Sequence, residues 1–165
     1  MKKPKKALVS LIIAGISLTM TSFNAFADTV MTVRLSGSNR FGTAIAVADA
    51  GWTTADTAIL ASSADANLVD ALAAAPLAGK TAPILLTDNN TLSASTQAEL
   101  VKLGVKTVYA VGAISQSVVD RVNAMSGVKA IVLKGSDRIG TTAAISSELT
   151  KPAGTFVVGY NALAD

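Results

Sequence analysis

Two segments of the chain share one pattern: LSGSNRFGTAIAVA at residues 35–48 and LKGSDRIGTTAAIS at residues 133–146. The separation is 98 residues throughout, so that Arg40 corresponds to Arg138 and Thr43 corresponds to Thr141. Self-similarity at a fixed spacing is typical of chains built from repeated supersecondary units. The recurrence therefore predicts a repeat architecture, in which the elements between the two segments complete one unit.

Strand-like and helix-like stretches alternate around these segments. Short apolar runs rich in β-branched residues predict strands, and Ala-rich stretches with apolar residues three or four positions apart predict helices. The predicted strands are residues 30–35, 57–61, 83–87, 107–111 and 128–133, and the predicted helices are residues 40–52, 68–77, 95–103 and 116–125. This order is typical of βαβ units, so we predict an α/β fold with a mostly parallel sheet.

The first 27 residues have the three parts of a secretory signal peptide. A head with four lysines precedes an uncharged apolar run over residues 7–20, and the small residues Ala25 and Ala27 mark a cleavage site before Asp28. The run is short for a membrane span, so we expect export and no membrane anchor after cleavage. Removing the lysines leaves ten basic and eleven acidic residues, a net charge near −1 that gives no basic surface for nucleic acid.

The chain contains neither histidine nor cysteine. This absence excludes a Ser-His-Asp triad, a cysteine nucleophile, an ordinary zinc site and disulfide bonds. We therefore expect no metal and no cofactor, and a fold that is stabilised by burial of its core.

The second copy continues past its opening segment. Residues 155–159 correspond to residues 57–61, and residues 163–165 correspond to residues 68–70. We expect three regions: a signal peptide at 1–27, a complete first repeat at 28–132 and a truncated second repeat at 133–165. A partial unit leaves an apolar face uncovered, so we expect the natural chain to continue.

Residues 37–43 have the glycine spacing of a phosphate-binding loop between a strand and a helix. The lysine that must reach the phosphates is missing, because Thr43 stands in its place and Thr141 does so in the second copy. A tight strand-to-helix turn, in which glycine supplies unusual backbone angles and a serine, asparagine or aspartate caps the helix, is the simpler interpretation.

Arg40 and Arg138 each fall in the first turn of a helix, where a positive charge opposes the helix dipole. A compensating group is therefore expected. It is either a carboxylate from a neighbouring unit or a bound anionic glycan or phosphate, and the planar guanidinium suits both.

Asp65 and Asp70 flank the start of the second predicted helix. They are the candidates for paired-carboxylate catalysis, a chemistry that requires a defined separation of the two groups. Asp70 has a simpler interpretation as a first-turn residue that the helix dipole favours.

Together these segments resemble the cell wall binding repeat 2 family of exported Gram-positive surface proteins. The matching stretches are RLSGSNRFGTA at 34–44, AILA at 58–61, VDALAAAPLA at 69–78, PILLT at 83–87 and VYAVG at 108–112 followed by Ile114 and Ser115. The match covers nearly all of the chain after residue 27 and then restarts at Leu133.

The resemblance implies a non-covalent anchor for S-layer-like surface proteins. Family members typically carry three repeats in a pseudo-threefold arrangement of α/β units that binds an anionic wall polymer, beside a variable region with another activity. The polymer-binding candidates that it implies here are Arg40, Arg138, Asp70, Ile84, Leu85 and Leu86. This chain departs from the pattern, with one complete repeat and part of a second.

We therefore predict an exported, non-enzymatic module that anchors a protein to an anionic cell-wall polysaccharide at the cell surface. Its other partners would be further copies of the repeat, within a longer chain or in trans. The alternatives are an exported α/β enzyme that acts on wall glycans through carboxylates, and repeats that only pack against one another.

Overall fold

The computed structural model of the chain describes residues 33–150 and residue 154. The described residues from Arg34 onward belong to one compact unit, whereas Val33 belongs to a separate one. The predicted signal peptide, residues 30–32 of the first predicted strand, and the second-copy segments 155–159 and 163–165 lie outside the described residues.

Helices and strands alternate along the described chain. Their bounds are α1 Arg40–Gly51, β1 Thr57–Ser62, a 3-10 turn Asp65–Asn67, α2 Leu68–Ala73, α3 Ala75–Ala78, β2 Ile84–Thr87, α4 Ala94–Lys102, β3 Thr107–Val111, α5 Gln116–Asn123, β4 Lys129–Leu133 and α6 Arg138–Ser147. Most predicted bounds agree to within one or two residues, which is the usual uncertainty at helix ends.

The four strands form one parallel sheet in the order β2-β1-β3-β4. Leu60 of β1 lies beside Leu85 of β2 on one side and beside Ala110 of β3 on the other. Parallel sheets are covered on both faces, which is why β1 and β2 are continuous apolar runs without alternation. The prediction of an α/β fold with a mostly parallel sheet is confirmed.

Helices pack on both faces of this sheet, and each face has its own apolar core. Helices α1, α4 and α5 cover the face that includes Leu60, Leu85 and Val108. Helices α2, α3 and α6 cover the face that includes Ile59 and Leu133. Neighbouring residues of one strand enter opposite cores because side chains alternate across a strand.

The first predicted strand is not formed over its described residues. Residues 33–36 have no regular structure, and the side chains of Arg34 and Leu35 are exposed. A strand is stabilised by pairing with a neighbour, and these residues pair with none of the described strands.

The helix predicted at residues 68–77 is two shorter helices, α2 and α3, that meet at Ala74. Pro76 lies at the start of α3, and it has no backbone N–H to donate to the carbonyl of Leu72. The proline therefore ends one helix and begins the next. No helix among residues 33–150 is long and apolar enough to cross a membrane.

Candidate functional site

The carboxyl ends of the parallel strands meet at one edge of the sheet, and ligands of open α/β sheets bind at this edge. Here the edge is formed by the loops after β1, β2 and β3 (residues 63–67, 88–93 and 112–115), with the starts of α1 and α6 beside them. We call this region the carboxyl edge. Arg40, Asp70 and Arg138, three of the predicted binding residues, lie here.

Helices α1 and α6 begin with the same turn. The Asn39 carboxamide oxygen accepts the Gly42 N–H at 2.9 Å, and the Thr43 hydroxyl oxygen accepts the Gly37 N–H at 3.1 Å. The second copy repeats both bonds through Asp137 and Thr141. The backbone N–H groups of Gly37, Gly42 and Thr43 are therefore used inside the turn and are not available to bind a phosphate.

The glycine spacing of this turn has a steric cause. A Cβ added at Gly37 would lie 2.2 Å from the carbonyl carbon of Gly42. A Cβ added at Gly135 would likewise lie 2.2 Å from the carbonyl carbon of Gly140. Such contacts are shorter than real side chains make. The two glycines of each copy therefore permit a close crossing of the backbone, and the structure supports the tight-turn interpretation of the pattern.

Arg40 is the first residue of α1, and its side chain crosses to the loop after β1. One guanidinium nitrogen donates to the Ser63 carbonyl at 2.6 Å, and another lies 2.5 Å from a carboxylate oxygen of Asp65. The side chains of Arg40 and Asp65 are 51 % and 83 % exposed, so solvent screens the pair and it adds little stability. The compensating carboxylate thus comes from the loop after β1, and the guanidinium remains accessible from solvent.

Arg138 is the first residue of α6, and it reaches from the second copy into the first. Its guanidinium donates to the Ala66 carbonyl at 3.5 Å, and its charge partly opposes the rise in the pKa of Asp70 that burial causes. The two arginines begin their helices in the same way and have different neighbours.

Asp70 lies in the first turn of α2, and its side chain is almost completely buried. Burial raises the pKa of its carboxyl group, and the Ala113 backbone N–H together with the charge of Arg138 opposes this rise. A Cβ added at Gly112 would lie 1.9 Å from an Asp70 carboxylate oxygen, and Gly112 has a positive φ of 70°. Only glycine therefore fits at position 112, where the chain leaves β3 and passes the carboxylate.

Neutral polar side chains link the loops of the carboxyl edge through hydrogen bonds. We did not predict them as site residues from the sequence. The Ser62 hydroxyl donates to the Asn89 carboxamide oxygen, and the Asn89 amide donates to the Asn67 carboxamide oxygen at 3.2 Å. The Asn89 carbonyl also accepts the Ser115 N–H at 2.9 Å. The sequence has a run of polar residues at 88–90 in this region. Such a run predicts a turn, but it does not indicate the hydrogen-bond partners of its side chains.

Ile84, Leu85 and Leu86 form β2 and do not join the arginines. Leu85 is fully buried in the core under α1 and α4, and its two neighbours are half-buried. Their predicted part in polymer binding remains a prediction, and their observed contacts are those of a packed strand. Within the described residues no three acidic side chains are grouped so that they could hold a metal ion.

Comparisons with known proteins agree with this fold. The family model of cell wall binding domain 2 matches residues 34–119. The chain is 33% identical over 120 residues to the N-acetylmuramoyl-L-alanine amidase LytC of Bacillus subtilis (strain 168), which covers 70% of this chain and 24% of that protein. It is 30% identical over 149 residues to the amidase enhancer of the same organism, which covers 87% of this chain and 20% of that protein.

A solved structure with a similar fold is Cwp6 from Clostridium difficile, with a TM-score of 0.63 and 31% identity over 69% of this chain and 18% of that chain. The present chain therefore spans about a fifth to a quarter of the length of these relatives. The amidase activity in one name belongs to that protein, whereas the matched family is one of binding modules. The chain belongs to the cell wall binding domain 2 family, and it is a cell-wall binding module.

Proposed function

We propose that this chain holds an exported protein on the cell wall without a covalent bond, through an anionic wall polymer that Arg40 and Arg138 bind at the carboxyl edge. The observation that carries the proposal is the position of both arginines at the first residue of copy-related helices. The N-terminal end of a helix carries a partial positive charge. Arginine and helix end therefore repel each other, and an anionic group placed between them is attracted by both.

The guanidinium of Arg40 has the chemistry and the access that this role requires. A planar guanidinium binds a phosphate or carboxylate through two parallel hydrogen bonds. Half of the Arg40 side chain is exposed, and its present partner Asp65 is more exposed still. A polymer anion can therefore replace or join Asp65 at small cost, because exposed ion pairs contribute little.

Asp70 has a positioning role in this proposal. Its buried side chain packs against Gly112 and interacts with the Ala113 N–H and the charge of Arg138, so we propose that it positions the loop after β3 and the arginine. We propose no catalytic role for Asp65 and Asp70, since Asp65 is an exposed partner of Arg40 and Asp70 is packed against Gly112. For residues 84–86 we propose an indirect role, in which β2 carries the loop at 88–93 to the edge.

The proposal extends to the rest of the chain. Residues 1–27 direct export, residues 28–132 and 133–165 belong to a first and a second repeat unit, and no nucleic acid or metal takes part. Each contact with a repeating polymer is weak, and several contacts on one strand add through their effective concentration. Further repeat units are therefore expected to strengthen retention.

Cosedimentation with purified Gram-positive walls tests this function. The variants Arg40→Ala and Arg138→Ala, singly and combined, are compared with Arg121→Ala, which removes one arginine charge from the last turn of α5. Charged hydrogen bonds contribute about 1.5–3 kcal/mol each, so we expect the dissociation constant to rise about tenfold or more for each arginine at the edge. Arg121→Ala should bind like the unmodified chain.

A second arm of this experiment identifies the ligand. The same walls are extracted with acid to remove their anionic polymers, and the binding of the unmodified chain should then fall to the level of the double variant. Retention that depends on neither the arginines nor the extraction would overturn the proposal.

A further inference from the structure

The opposite edge of the sheet, where the strands begin, has a cavity that the proposed function does not use. The loops that lead into β1, β2 and β3 (residues 52–56, 79–83 and 103–106) meet there, and we call this region the amino edge. The cavity has a volume of about 560 Å³, which lies within the range of small-molecule sites. One tryptophan, three threonines and three charged residues are among the residues that line it.

Trp52 is the only tryptophan of the chain, and it lies between this cavity and the core. Its half-buried side chain packs against the core that includes Leu60 and Leu85, and it also lines the cavity. The face of an aromatic ring carries a negative potential, which attracts C–H groups that neighbouring oxygen atoms polarise. A pyranose ring has such C–H groups on its faces, so a saccharide ring suits the space beside the indole.

Threonine hydroxyls supply the polar contacts that a saccharide requires. Among the described residues, the hydroxyls of Thr54 and Thr57 have no hydrogen-bond partner. The Thr81 hydroxyl donates to the Ala78 carbonyl at 3.5 Å and can still accept. A hydroxyl both donates and accepts, as the hydroxyls of a saccharide do. An apolar ligand would instead cover these groups without giving them a partner.

The charged residues leave one lysine of the cavity without a counter-ion. Lys106 pairs with Asp56 at 2.7 Å, and both side chains are largely exposed. Within the part of the chain that the structure describes, Lys80 has no carboxylate at ion-pair distance. Two lysines and one aspartate give the cavity a net charge of +1, and an ammonium group binds a carboxylate or a phosphate.

We propose that the cavity at the amino edge binds an acidic saccharide, a pyranose ring that carries a carboxylate or a phosphate. Trp52 stacks on the face of the ring, the threonine hydroxyls bond the hydroxyls of the sugar, and Lys80 binds its anionic group. This site is separate from the carboxyl edge. Strand β1 has six residues, which places the two edges roughly 20 Å apart.

Two sites at opposite edges of the sheet give the chain two points of contact with a long polysaccharide. Weak contacts on one polymer add through their effective concentration, so the second site strengthens retention. This consequence rests on the proposed function, whereas the binding of a small saccharide at the amino edge does not. A test with small saccharides therefore separates the two proposals.

Titration with small saccharides, followed by the fluorescence of Trp52, tests the site. The probes are glucuronate and glucose 1-phosphate, which each combine a pyranose ring with one anionic group. Glucose lacks the charge, and gluconate is an open-chain acid that lacks the ring. We expect each probe to bind about tenfold more tightly than glucose or gluconate, because each control loses one of the two main contacts. The tighter of the two probes identifies the anionic group as a carboxylate or a phosphate.

A pair of lysine variants tests the charged contact. Lys80→Ala should weaken the binding of both probes about tenfold, to the level of glucose, because it removes a charged hydrogen bond. Lys134→Ala is the matched control, since Lys134 is an exposed lysine that follows β4 at the other end of the sheet. This variant should bind the probes as the unmodified chain does.

The comparison of glucuronate with gluconate uses the unmodified chain, so it does not depend on the folding of a variant. Both lysines are exposed, and circular dichroism verifies that their variants are folded. The proposal would be overturned by equal affinities for glucuronate and gluconate, by equal affinities of Lys80→Ala and Lys134→Ala, or by no response of Trp52 to either probe.

Discussion

Helices α1 and α6 carry the same sequence pattern and begin with the same hydrogen bonds, yet they bury opposite faces. Their first turns match because the bonds form between residues a few positions apart. Their buried faces differ because α1 packs on the face of the sheet that includes Leu60 and α6 packs on the face that includes Ile59. Local sequence therefore determines how each helix begins, and the surface beside the helix determines which of its sides is buried.

The largest expected effect is a difference in the free energy of unfolding between matched variants of α6 and α1. Ile145→Ala removes a buried side chain and leaves a cavity, so we expect the free energy of unfolding to fall by about 2–5 kcal/mol. Val47→Ala, at the corresponding position of α1, removes a half-exposed side chain and should change it by about 0.5 kcal/mol or less. Urea unfolding of both variants measures the difference, and equal losses would mean that α1 and α6 bury the same face.

The starts of the two helices should respond alike. Asn39→Ala and Asp137→Ala each remove the side chain that accepts an N–H of the first turn. Each loss is expected to cost about 1 kcal/mol of stability, because both caps make the same bond. Thermal or urea unfolding gives the two values, with the double variant as a check on additivity. A several-fold difference between them would contradict equivalent turns.

The smallest expected effect is the change that Arg138 makes to the pH dependence of stability. Burial raises the pKa of Asp70 in the folded chain above its value in the unfolded chain. The stability that comes from protonated Asp70 is therefore present at low pH and is lost as the pH rises through the folded pKa. Arg138→Ala removes a charge that lowers this pKa, so the loss should move to higher pH.

Arg40→Ala should leave the Asp70 titration unchanged, since the charge that acts on Asp70 is that of Arg138. NMR titration of the Asp70 carboxyl group in the two variants makes the comparison. Identical shifts in both variants would show that the arginines have equivalent surroundings after all.

Much of the fold could be predicted because its determinants are local. Apolar runs predict β1 to β4, and the glycines at 37 and 42 and at 135 and 140 predict the turns that lead into α1 and α6. The break at Ala74 was harder to predict, because Pro76 indicates that a helix ends nearby and does not show that a second helix follows. The strand expected at residues 30–35 depends on a pairing partner, and periodicity within one segment carries no information about partners.

The two arginines of the candidate site could be predicted from the sequence, whereas the residues that they contact could not. The dipole argument identified Arg40 and Arg138 as cations that need a partner. It did not indicate that Arg40 contacts Asp65 in the loop after β1, or that Arg138 contacts Ala66, which lies 72 residues earlier in the chain. Asn67, Asn89 and Gly112 were missed as site residues because their roles arise only when three loops meet at the carboxyl edge.

The most direct test of the central claim is the affinity of the chain for purified wall polymer, measured at low and at high salt. Salt screens exposed charges, so the unmodified chain should bind much more weakly at high salt. The chain with Arg40→Ala and Arg138→Ala should bind weakly at both salt concentrations and show a smaller dependence on salt, while Arg121→Ala behaves as the unmodified chain. If the double variant keeps the affinity and the salt dependence of the unmodified chain, the two arginines do not bind the polymer.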